Sequence, residues 1–103
     1  MQTNVIFRHT ESSGRLRTLA ETEVEKLRRV YAQIDGAQVT FSEDGLIRKV
    51  EARLNVPGHD PVCSAEGTSH EDALDHCVAS LRRALVKRKE QEHDHNPARE
   101  TWH

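Results

Sequence analysis

One stretch, residues 64–90 (SAEGTSHEDALDHCVASLRRALVKRKE), constrains this chain most. It reads as the end of a strand, a turn and a long helix with a basic end. Thr68-x-x-Glu71 has the form of a capping box, and Glu71 and Asp72 place negative charge in the first turn, where the helix dipole favours it. Leu74, Cys77, Val78, Leu81, Ala84 and Leu85 then recur at helical spacing as one apolar stripe, which must pack against something. Arg83 and Lys87 fall opposite the stripe, and Arg82 and Lys89 flank it. Arg88 shares the stripe's own azimuth. An unpaired buried Arg is very costly, so the last turn is expected to have run past the core into solvent. Arg82, Arg83, Lys87, Arg88 and Lys89 would then project from one rigid rod with no acid among them.

The preceding chain supplies the partner surface. Thr3, Val5 and Phe7 alternate with Gln2, Asn4, Ile6 and Arg8, which predicts a short first strand. Ser12 or Ser13 can cap the next element. Leu16, Leu19, Ala20, Val24, Leu27, Val30, Tyr31 and Ile34 predict an amphipathic helix over 15–34, stopped by Asp35-Gly36. Its outer face mixes signs, with Arg17–Glu21 and Glu25–Arg29 spaced as i,i+4 pairs and Lys26, Arg28 and Arg29 gathered near its end. Ala37, Val39 and Phe41 alternate as a second strand, and Glu43-Asp44-Gly45 signals a hairpin. Val50, Ala52, Leu54 and Val56 alternate with charged residues as a third strand; 57–61 is a turn with two prolines; 62–66 is a fourth strand, with Cys63 and Ala65 inward. The order β-α-β-β-β-α predicts an α+β fold, a two-layer sandwich of a four-stranded sheet with two helices packed on one face. The first two strands should be parallel if adjacent.

The 103 residues allow one domain, expected over 1–91, followed by a polar tail at 92–103 without periodicity, expected to be disordered and carrying an isolated Trp102. No run is apolar enough for a membrane span or a signal peptide, so the expected location is cytoplasmic, which also suits two reduced cysteines. The formal net charge of -2 excludes a simple polycation, so any anion binding must come from how charge is arranged. An enzyme is not expected: no nucleophile elbow, phosphate-cradling glycine loop or convergent carboxylate pair is present. No cofactor is expected. The seven histidines do not fall into metal-binding pairs. His93, His95 and His103 lie in the tail, while His70, His76, Cys63 and Cys77 lie near the last helix without CxxC or HExxH spacing, so no metal site is expected.

Ser64-Ala65-Glu66-Gly67 leading into Ala73-Leu74-Asp75, and then Leu81-x-Arg83-x-Leu85-x-Lys87-x-Lys89, resembles the ribosome hibernation proteins. These are the short hibernation promoting factor and the related ribosome-associated inhibitor, also known as sigma-54 modulation proteins. Leu16-Arg17 and Lys26-Leu27 in the first helix fit the same pattern. The resemblance implies a stoichiometric blocker that binds the small ribosomal subunit near the decoding region, its helices against ribosomal RNA, in space that messenger and transfer RNA need. It implies an RNA-binding groove between the helices, with Arg82, Arg83, Lys87, Arg88 and Lys89 on one wall and Lys26, Arg28 and Arg29 on the other. Pairing of ribosomes is expected to need a separate partner, as for short family members with ribosome modulation factor. Two departures stand out. Ser69-His70-Glu71-Asp72 replaces a stretch where members often carry an aromatic, and Glu21, Glu23 and Glu25 dilute the basic face of the first helix. The competing reading is a protein–protein adaptor that uses the exposed sheet face or a sheet edge without touching RNA.

Overall fold

The computed structural model describes residues 2–94, with backbone alone for 92–94. The elements are β1 (Gln2–Arg8), α1 (Gly14–Val30), β2 (Gly36–Asp44), β3 (Ile47–Asn55), β4 (Val62–Gly67) and α2 (His70–Asp94). The sheet order is β1-β2-β3-β4, with β1 parallel to β2 and the other two pairings antiparallel. This is the expected α+β sandwich.

Register follows from alternation. Val5 lies beside Val39 and Phe7 beside Phe41; Val39 and Phe41 face Ala52 and Val50 on β3, and these face Cys63 and Ala65 on β4. A slip of one residue would turn this whole apolar row to solvent. The row is covered by Leu16, Ala20, Val24 and Leu27 of α1 and by Ala73, Leu74, Cys77, Leu81 and Leu85 of α2. Gly45, at φ 60, makes the β2–β3 turn, a backbone state that a side chain would strain.

Several local expectations are corrected. Helix α1 ends at Val30, four residues early: Tyr31 is already extended, at φ -141, although its amide still bonds the Leu27 carbonyl. Ile34 is buried nonetheless, because the chain turns straight into β2, where the Asp35 amide donates to the Asn55 carbonyl at 2.8 Å. Ser13 caps α1, its hydroxyl accepting from the Leu16 amide. On α2 the cap is Ser69, not Thr68: the Ser69 hydroxyl accepts from the Asp72 amide at 3.1 Å. Ala84 of the expected stripe is exposed, and Ala73 takes a buried place instead. The helix itself continues through Glu92, His93 and Asp94, into the stretch expected as tail; the rest of that stretch, Trp102 included, lies outside the described residues.

Candidate nucleic-acid interface

The topology makes the two helices parallel. Strand β4 runs the same way as β1, and each is followed by a helix that returns across one face of the sheet. Two contacts tie the helices at either end. Arg15 meets Glu71 at 2.8 Å near the start of both, and Arg88 Nε donates to the Tyr31 hydroxyl at 3.1 Å near the far end. At about 1.5 Å per residue these ties stand roughly 25 Å apart along α2.

The helical repeat sorts the basic residues of α2 into two rows. Glu71, Arg82 and Lys89 recur at spacings of eleven and seven, close to whole turns, so they share the flank that faces α1. Lys89 lines a hollow of ≈ 270 Å³ with Arg29, Val30, Tyr31, Ala32 and Gln33, the last turn and exit of α1. Arg29 from α1 and Lys89 from α2 therefore border one cleft at the helix ends. Arg83 and Lys87 lie roughly 110–150° round the helix, on the outer side. Among the described residues, no ion pair engages Arg29, Arg82, Arg83, Lys87 or Lys89, and all five are exposed.

The other three candidate residues are placed differently. Lys26 pairs with Glu23 at 3.4 Å and Arg28 with Glu25 at 3.6 Å, both at i,i+3. These replace the expected Arg17–Glu21 and Glu25–Arg29 pairs; Arg17 instead sits 5.7 Å above the Phe7 ring. Arg88 is not carried into solvent. It is half-buried, and besides Tyr31 it donates through Nη2 to the Pro57 carbonyl at 2.9 Å. The helix leaves the core only after it, where Lys89, Glu90 and Gln91 are exposed.

Two residues escaped the sequence reading. The spacing gives Glu71 a capping role, yet its carboxylate accepts from Arg15, and this hydrogen bond above all holds its carboxyl below the usual range. His70 is buried: Nε2 lies 2.9 Å from the Ser42 carbonyl, and the ring packs edge-on to Phe41. A carbonyl only accepts, so Nε2 is the donor. His70 is thus an aromatic contact between α2 and the sheet. Cys77 is fully buried, its thiol donating to the Cys63 carbonyl at 3.4 Å. Burial, then neighbouring Cys63, pushes that thiol well above its ordinary value. Among the described residues no helix is long and apolar enough to cross a membrane, and no three His, Cys, Asp or Glu side chains gather as a metal site.

Known proteins share this fold and resemble this sequence. The family model described as sigma 54 modulation protein / S30EA ribosomal protein matches residues 3–93. A ribosome hibernation promoting factor of Azotobacter vinelandii is 34% identical over 95 residues, covering 89% of this chain and 86% of its own. That of Escherichia coli K12 is 27% identical over 95 residues, covering 92% of this chain and 100% of its own. A ribosomal subunit interface protein from Coxiella burnetii superposes with TM-score 0.81 at 22% identity, over 87% of this chain and 99% of that one. The N-terminal domain of Thermus thermophilus Protein Y gives 0.73 at 23% identity, over 82% and 93%. At these identities the two structures speak for the fold.

Proposed function

The chain belongs to the sigma 54 modulation protein / S30EA ribosomal protein family, and from that premise we propose that it is a ribosome-binding hibernation factor. In this reading residues 1–91 dock on the small subunit near the decoding region, helices against ribosomal RNA, and occlude the paths of messenger and transfer RNA. It acts by occupancy, as a stoichiometric blocker in the cytoplasm rather than an enzyme. Any pairing of ribosomes would need a separate partner such as ribosome modulation factor.

One observation carries the reading: Arg29, Arg82, Arg83, Lys87 and Lys89 are exposed on two tied, parallel helices, and no ion pair engages them among the described residues. Folded RNA is met largely through backbone and shape, which asks for fixed cations at set separations rather than a base code. The net charge of -2 does not oppose this, because what a phosphate meets is the local arrangement of cations rather than the total charge, and Glu23 and Glu25 are engaged by Lys26 and Arg28. The adaptor reading draws less support. On the open sheet face charges of both signs are interspersed, Lys49 approaching Asp44 and Glu66 at 3.6 and 3.9 Å, so the face does not offer one sign of charge to a partner. Co-sedimentation with small subunits across a salt series tests the choice. An RNA contact gives a slope of log affinity on log salt on the order of -0.7 to -0.9 per phosphate, and an adaptor gives a shallow one.

A further inference from the structure

Arg88 stands in the basic run yet is engaged unlike its neighbours. Its side chain leaves α2 on the line of Leu81 and Leu85, toward the core, and is half-buried. Nε donates to the Tyr31 hydroxyl at 3.1 Å and Nη2 to the Pro57 carbonyl at 2.9 Å. Both acceptors are themselves held. Tyr31 is buried and is the residue at which α1 ends, its amide bonded to Leu27. Pro57 sits in the β3–β4 turn, closed by the His59 amide on the Val56 carbonyl at 2.9 Å and by the Leu54 amide on the Pro61 carbonyl at 3.0 Å. The turn lies against the guanidinium: a Cβ at Gly58 would be 3.7 Å from Nη2. One planar group thus joins α1, α2 and the turn.

We propose that Arg88 is a positioning residue: it sets the separation of the α1 and α2 ends, and thereby of Arg29 and Lys89, rather than meeting a phosphate itself. This rests on the RNA-binding reading above. Arg29 is two residues before Tyr31 and Lys89 one after Arg88, and both line the same hollow, so the Tyr31–Arg88 bond fixes the width of the cleft they flank. To grip a phosphate, Arg88 would have to leave a buried tyrosine hydroxyl and a turn carbonyl. Lysine cannot replace it, since a single ammonium does not reproduce two bonds set by a planar fork.

The test measures affinity for purified bacterial small ribosomal subunits across a salt series. Tyr31→Phe keeps the buried ring and removes only the hydroxyl; Arg88→Lys keeps the charge. Tyr31→Phe, which loses one hydrogen bond, is expected to lower affinity about five-fold, and Arg88→Lys, which also gives up the forked bond to Pro57, at least as much, both with the salt slope unchanged. The double variant should be no weaker than Arg88→Lys alone, because that change already breaks the bond to Tyr31. Lys89→Ala, as control, should lower affinity and make the slope shallower by about one contact. The proposal is overturned if Tyr31→Phe binds like the natural chain, if Arg88→Lys does, or if the two losses add. If Lys89→Ala and Arg82→Ala both leave the slope unchanged, the RNA-binding reading itself has failed, a result distinct from failure of the strut.

Discussion

Arg15 near the start of α1 and Glu71 near the start of α2 meet at 2.8 Å, fifty-six residues apart in sequence. The pair is exposed, so solvent screens it and its worth is small. Its pH signature is still distinct. The Arg15 hydrogen bond lowers the folded carboxyl from its ordinary 4.5. A lowered folded value stabilises above the unfolded one, and the contribution fades as pH falls through the folded value. Thermal melts of Glu71→Gln should therefore fall below the natural chain at neutral pH, with the gap closing in acid below 4.5. A gap independent of pH would contradict the pairing.

Glu23 and Lys26 offer a gain rather than a loss. The Glu23 side chain is only 16% exposed and holds Lys26 at 3.4 Å. Glu23→Gln should free that cation, raise affinity for small subunits about two- to five-fold at low salt and steepen the salt slope. Unchanged binding in Glu23→Gln would remove Lys26 from the interface.

The cysteines should differ in reactivity. Cys77 is sealed in the core and its thiol is pushed up, whereas Cys63 is half-buried. The thiolate is the reactive form, so an alkylating reagent at mildly alkaline pH should label Cys63 in the native protein and spare Cys77 by at least about tenfold. Mass spectrometry of peptides, native against urea-unfolded, reads this directly. Equal labelling would mean that α2 opens from the sheet far more readily than its packing implies.

Much of this architecture was legible in the chain. Alternation of Val39, Phe41, Val50 and Ala52 named the core face of the sheet, and the stripe from Leu74 to Leu85 named that of α2. Local errors arose where tertiary partners decide between equivalent local choices. Thr68 and Ser69 can both cap a helix, and the turn from β4 selects Ser69. Ile34 continues the period of α1 but is buried from a loop, because β2 must begin at once to lie beside β1. The candidate interface was legible as composition and not as pairing. Nothing in spacing alone tells Arg29, which is exposed and without an ion pair, from Arg28, which meets Glu25. Arg88 on the apolar azimuth was the one signal of a buried role, and its partners, Tyr31 and Pro57, are fifty-seven and thirty-one residues away.

The central claim is that exposed cations on α2 hold the protein to ribosomal RNA. Its most direct test is co-sedimentation of Arg83→Glu/Lys87→Glu with purified small subunits, beside a thermal melt of the same protein. Both side chains are exposed and outside every ion pair among the described residues, so stability should stay within about 1 kcal/mol of the natural chain. The account predicts a folded protein that no longer pellets with small subunits. A folded double variant that still pellets fully would contradict it.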